Sequence, residues 1–412
     1  MKNLYYDAKT KLYNVKTTVK TLLAGDFPIT SGERALRSLF RVFEDLEKKL
    51  DRAHATKLEE SIKLYASLIN VKIFQVLPIL GFILRSTNVR NTFELLEPFQ
   101  VIAGDCLEGL PQVIISAEWD YVPFAYPQNI EDLQSFVLIG MPASEVNNSL
   151  LTPLAGHELG HAVWRNRSIG GAVNTTLQLR CEDLYQSEMS EFKKLFPEYR
   201  ADDLHRKEVL PEAIETSLNY ANSQAEEIFC DMFAYALFGE SYLYAFAYVL
   251  APGNGRGPTP KYPTYATRIG TLESIAKTEG VVLPSLGMLG LSDDKHRGRP
   301  NDRFIIRMAE RSVEHILPGL WSKVMEIIAK KKVCRPTASS AVKHLSEMRL
   351  GTPAHTPRCL GDITNAGWMH YIQHRESAKT HPELIEKSAN LNELILKTIE
   401  VMEFRRRTVG GT

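Results

Sequence analysis

The sequence predicts an α+β protein, mostly helical, with a small antiparallel or mixed sheet and helical N- and C-terminal regions. Three observations carry this reading. Apolar residues recur at helical spacing before residue 98 and again beyond residue 303, short β-rich runs are confined to 98–142, and 150–250 is again helical in pattern. The chain has 412 residues, 44% of them hydrophobic, enough for a sizeable core. The pattern divides it into a helical region 1–97, a central region 98–275 and a helical region 276–412.

Thr30-Ser31-Gly32-Glu33 reads as a capping box, in which two side chains meet backbone donors that a helix start leaves open. It opens a helix through about Ala53, with Leu36, Leu39, Phe40, Phe43, Leu46 and Leu50 at helical spacing. A charged helical stretch continues through Ile73, and 88–98 reads as a boundary. Residues 113–117 and 121–126, parted by Glu118-Trp119-Asp120, read as strands of a small sheet leading into an edge strand at 135–141. A polar turn follows at 144–149. Between two later helices lies a charged insert, 180–212, expected as a solvated helical pair, with a lid over a cleft as its functional alternative. Residues 251–258 read as a mobile Gly/Pro loop and 291–302 as an exposed charged one. Helices return at 303–332, 338–350, 367–377 and 382–404.

The most informative run is His157-Glu158-Leu159-Gly160-His161. On a helix the two histidines fall one turn apart on the same face, so both imidazoles can reach a single Zn²⁺ at about 2.0–2.1 Å. Glu158 stands beside the first ligand and can reach a metal-bound water, whose proton it would take. The surroundings suit a buried helix, with Leu150, Leu151, Leu154, Leu159, Ala162 and Val163 apolar and Gly156 and Gly160 permitting close packing. A strand before such a helix can bind an extended substrate by backbone pairing.

A catalytic zinc needs a third protein ligand. Glu182, Glu188, Glu191, Glu226 and Glu227 all follow His161. Glu227 alone among them has a carboxylate one turn later, Asp231, which can orient a ligand histidine. It also lies in an apolar helix, where an unpaired carboxylate is costly. His157, His161 and Glu227 are therefore the expected ligands of one zinc ion per chain, with Asp231 behind them. The extended metzincin pattern is absent, since Trp164 and Arg167 hold its Gly and His positions.

The order H-E-x-x-H, then Glu227 and Asp231 as E-x-x-x-D, then Tyr262-Pro263 ahead of Arg268-Ile269 resembles the gluzincin metallopeptidases. It is most similar to the clan of CAAX prenyl proteases and HtpX-like heat-shock proteases, over about residues 135–270. That resemblance implies a zincin-like core, Glu158 as general base and Arg268 as a site residue. In the family a histidine precedes the proline, and here Tyr262 takes its place. A phenol can also donate to a developing oxyanion, and Tyr265 is an equal candidate for that role.

Composition bounds the rest. The 49 basic and 49 acidic residues cancel, so no nucleic-acid partner is expected. Five cysteines, odd in number and never paired as C-x-x-C, argue for a reducing compartment, and residues 1–7 lack the apolar core of a secretory signal. Both point to the cytoplasm. The clan it resembles has spanning helices, but 232–251 is interrupted by Gly239-Glu240-Ser241 and 67–84 contains Asn70, Lys72, Gln75 and Pro78. Both are expected as buried core helices, with no membrane span. His370 and His374 also stand four apart, yet no glutamate lies between them and no carboxylate helix follows, so no second metal is assigned. The expected function is zinc-dependent hydrolysis of an intracellular protein or peptide. The rival is a catalytically degenerate metal-binding scaffold or sensor acting through its helical regions.

Overall fold

The computed structural model describes residues 2–25, 27, 30–88, 93–118, 123–125, 133, 135–145, 148–199, 208–251, 260–285, 288–291 and 299–409. Most of them are helical, and the strands form one three-stranded mixed sheet. The expected loop at 251–258 and most of the one at 291–302 lie outside the described residues. The chain divides into two compact units, one of residues 1–103 and 109–146, the other of 104–108 and 147–412.

The first unit packs α1 (Lys2–Leu23), α2 (Thr30–Ala55) and α3 (Glu59–Asn88) with strands β1 (Gln112–Glu118), β2 (Phe124–Ala125) and β3 (Phe136–Pro142), and α4 (Leu96–Cys106) runs from it into the second. Leu36, Leu39, Phe43 and Leu50 of α2 are fully buried with Leu12, Ile69, Val76 and Phe82, as the helical spacing requires. Ile114 of β1 and Leu138 of β3 join the same core. The expectation of an edge strand at 135–141 is corrected, because β3 lies in the middle. It pairs in parallel with β1, Gln112 opposite Phe136 through Glu118 opposite Pro142, and antiparallel with β2, Phe124 opposite Gly140. At Ile139 and Gly140 it has a paired strand on both sides.

Residues 67–84 are also not the buried core helix expected of them. They lie in α3, whose stretch Glu59–Ser86 is long and apolar enough to cross a membrane by length and composition, yet only 33% of its apolar window is buried. Leu64, Leu68, Val71, Phe74 and Leu77 are exposed.

In the second unit a long helix, α8 (Val209–Phe238), packs against α5 (Thr152–Asn166), α6 (Ile169–Ser187) and α11 (Pro300–Lys330), with α10 (Tyr265–Thr278) and α13 (Leu360–Ser377) also beside it. The remaining helices are α7 (Met189–Leu195), α9 (Glu240–Leu250), α12 (Ala338–Met348) and α14 (His381–Val409). The apolar run at 232–251 is buried as expected, but it is two helices. Gly239 breaks it at φ +60°, a conformation glycine adopts at little cost, and α9 folds back beside α8 there.

The charged insert does more than face solvent. Cys181, Tyr185, Phe192 and Phe196 are buried in a cluster with Ala213, Phe304 and Met308. Its acidic residues meet α11, where Glu188 pairs with Arg311 at 2.7 Å and Glu191 with Arg307 at 2.6 Å.

Candidate metal centre

Helix α5 starts with Pro153 in its first turn, where the missing N–H costs nothing, and then buries almost every side chain through Gly160. Its two glycines allow α8 to approach closely. A Cβ on Gly160 would stand 2.9 Å from the Cα of Cys230, and one on Gly156 2.5 Å from the Phe238 ring. This crossing sets His157 and His161 of α5 against Glu226, Glu227, Cys230 and Asp231 of α8.

Each histidine has one ring nitrogen held by its own carboxylate. His157 Nδ1 lies 3.0 Å from Asp231 Oδ1, and His161 Nδ1 lies 2.8 Å from Glu226 Oε1. A carboxylate partner on Nδ1 leaves Nε2 as the nitrogen that can give up its proton to a metal ion. Both Nε2 atoms then face one carboxylate. His157 Nε2 is 3.5 Å from Glu227 Oε2, and His161 Nε2 is 3.8 Å from Glu227 Oε1. Ligand atoms at about 2.0–2.1 Å in a tetrahedral zinc shell stand about 3.3 Å from one another, so the spacing suits such an ion. Glu158, next to His157, is buried at 7% exposure.

The carboxylates are held by a buried network. Arg268 of α10 donates to both oxygens of Asp231, from Nε at 2.7 Å and from a terminal nitrogen at 2.6 Å, and lies 3.6 Å from Glu227. Its guanidinium also stacks over Phe246, 4.7 Å from the ring centre. Tyr242 of α9 donates to Asp231 Oδ1 at 2.5 Å and lies 3.2 Å from His157 Nδ1. Burial opposes charge on Asp231, but Arg268 outweighs it and holds that carboxyl well below its usual range. Burial likewise opposes charge on His157, yet Asp231 and Glu227 outweigh it and raise the imidazole to about 10. The field here favours a cation.

The residues singled out from the sequence divide accordingly. His157, His161, Glu227 and Asp231 are brought together, with Glu158 beside His157. Glu182 bonds Gln178 at 3.0 Å, and Glu188 and Glu191 hold α11, so none of these three is placed as a ligand. Arg268 has its guanidinium on both oxygens of Asp231. Tyr262 is 50% exposed ahead of α10, and Tyr265 meets Phe246 edge-on. A phenol that meets His157 is that of Tyr242, which the sequence reading missed, as it missed the part of Glu226. The break at Gly239-Glu240 was the available signal, since it returns the chain toward α8.

Among the described residues, His157, His161 and Cys230 offer ligand atoms within 4.8 Å of one another. The two oxygens of Glu227 face both Nε2 atoms as well. Cys230 lies under the helix crossing, and burial and the nearby carboxylates push its thiol well up. No family model matches the chain, and no curated protein or solved structure is similar to it.

Proposed function

We propose that this chain is a zinc-dependent metallopeptidase of the gluzincin type, with a zincin-like core centred on α5 and α8. One Zn²⁺ is held by His157, His161 and Glu227. The observation that carries this reading is that two imidazole Nε2 atoms face one carboxylate while a separate carboxylate backs each Nδ1. When bound, the ion supplies Lewis-acid polarisation of a water and of a peptide carbonyl. Glu158 takes the proton of the attacking water and returns it to the leaving amine. Tyr262 or Tyr265 donates to the oxyanion, and the substrate is an intracellular protein or peptide. Asp231, Glu226, Tyr242 and Arg268 fix the rings that bind.

Elemental analysis tests the ligand set. Wild type is expected to hold about one zinc per chain, and His157→Ala and Glu227→Ala to hold none. Glu158→Gln should keep the metal and lose about 10²–10⁴-fold in peptide hydrolysis. Zinc retained by Glu227→Ala, or hydrolysis undiminished in Glu158→Gln, overturns the reading. The position of Cys230 favours one rival. With Cys230 as a fourth ligand the shell closes and leaves no place for substrate, as in structural sites. Loss of zinc from Cys230→Ser would select that rival, a metal-binding scaffold.

A further inference from the structure

Cys334 and Cys359 are far apart in the sequence and meet on two segments that cross. Cys334 follows α11, and Cys359 directly precedes α13. The backbone N–H of Thr337 donates to Asp362 at 3.4 Å, Arg358 donates to the Arg335 carbonyl at 3.3 Å, and a Cβ on Gly361 would lie 2.9 Å from the Pro336 ring. At this crossing the two thiols lie close enough to interact, the Cys334 thiol donates to the Arg335 carbonyl at 3.7 Å, and both residues are partly exposed. The other three cysteines are buried.

We infer that Cys334 and Cys359 form a peroxide-oxidisable dithiol that closes to a reversible disulfide. The inference does not depend on the zinc reading. The Cys334 thiolate attacks one oxygen of hydrogen peroxide, the O–O bond breaks, and hydroxide leaves, giving a sulfenic acid at Cys334. The Cys359 sulfur then attacks the Cys334 sulfur, and the sulfenic oxygen departs with the thiol proton as water. In sum two thiols and one peroxide give one disulfide and two waters, and the thiols supply the two electrons.

The order of attack follows from the surroundings. The hydrogen bond from Cys359, opposed by burial and aided by the Arg358 guanidinium, lowers Cys334 to about 7, so about half of it is thiolate at neutral pH. Cys359 is pushed upward by the same hydrogen bond and by burial, so it serves as the resolving thiol. Burial drives the remaining thiols the other way, Cys106 up to about 12 and Cys181 up to about 11. The cross-link would also tie down the first two turns of α13, which hold the α8–α9 junction. There Asn365 accepts from the Ser241 N–H at 2.9 Å and donates to the Phe238 carbonyl at 2.6 Å.

The test treats the full chain with hydrogen peroxide, one equivalent at a time, then blocks free thiols and maps peptides by mass spectrometry. The expected product is a single 334–359 cross-link, reversed by dithiothreitol, with Cys106, Cys181 and Cys230 still free. Its rate should rise with pH around a midpoint near 7 rather than the usual 8.5 or so. In Cys359→Ser the reaction should stop at a sulfenic acid on Cys334 that a dimedone probe captures. Oxidation of Cys334 in wild type to sulfinic acid without a cross-link, or a cross-link joining any other pair, overturns the inference. Both readouts on wild type stand even where a variant fails to fold.

Discussion

His157 and His161 on α5 and His370 and His374 on α13 are spaced alike, and each pair brings its rings together, at 5.1 and 4.1 Å between centroids. Their surroundings are opposite. Around the first pair stand Asp231, Glu226 and Glu227, each within 4 Å of a ring nitrogen. Around the second, Arg349 acts on His370 and Lys387 on His374, and both Nδ1 atoms are buried without a hydrogen-bond partner. The carboxylates hold His157 up to about 10, whereas burial and the neighbouring His374 push His370 down to about 4. Helical spacing therefore gives two imidazoles reach toward one ion, but a second helix must bring the carboxylates that make the place attractive to it. In this chain α8 does so for α5, and the surroundings of the α13 pair repel a cation.

The sharpest way to break this contrast is to remove the carboxylate that both His157 and Arg268 use. Asp231→Ala leaves the buried guanidinium with only the longer pairing to Glu227, at 3.6 Å, and takes a partner from the Tyr242 hydroxyl. The expected loss is about 3–5 kcal/mol, read as a fall in the urea midpoint. Replacing Arg268 by Met in the same chain should recover a large part of it, because the cost is that of the stranded charge. A double variant no more stable than Asp231→Ala would show that the ion pair is not what the site rests on.

Two smaller changes sharpen the comparison. Gly160→Ala places a methyl 2.9 Å from the Cys230 backbone, which cannot swing aside as a flexible side-chain end could. About 1–3 kcal/mol of destabilisation is expected in thermal melts, with weaker zinc binding as α5 and α8 are forced apart. Glu226→Gln tests the partner of His161 more gently, since that carboxylate keeps 28% of its side-chain surface exposed. Zinc affinity should fall about 10–100-fold in competition with a chelator while the melting temperature scarcely moves. Unchanged affinity would reduce Glu226 to a surface acid.

What could be read from the sequence was local. The spacing of His157 and His161, Glu158 between them, and the Glu227–Asp231 pair in an apolar helix are all set within one or two turns. The structure accordingly places them together. What depended on a second element was harder. Tyr242 reaches Asp231 because α9 turns back at Gly239, and Glu226 reaches His161 because two glycines let α8 come close. Arg268 stood at a recognisable place, but nothing local said that its guanidinium would be consumed by Asp231. Hydropathy could not tell a buried helix from a half-covered one, so α3 was read as core. Strand order is not written in chain order, so β3 was placed at an edge. In the charged insert, the weight given to Glu, Lys and Arg hid Tyr185, Phe192 and Phe196, which carry its packing.

The smallest expected effect concerns the second histidine pair, and it is a matter of sign. Burial, the facing His374 and the Arg349 guanidinium lower His370 to about 4 in the folded chain, against about 6.5 when unfolded. Between those values the unfolded chain holds more protons than the folded one, so protonation pulls toward unfolding. The contribution is fully present above about 6.5 and is lost as the pH falls toward 4, below which both states are protonated and no more is lost. His374 is lowered as well and acts in the same direction. Melting temperatures of wild type and His370→Phe, taken in steps from pH 7 to pH 4, isolate the effect. Groups away from the pair titrate in both chains and cancel in the difference, so the measurement reads His370 together with its coupling to His374. Wild type should lose more stability than the variant over that window, while zinc content stays equal in the two. Parallel curves would mean that His370 titrates alike in the folded and unfolded chain, and the contrast between the two pairs would then rest on the carboxylates of α8 alone.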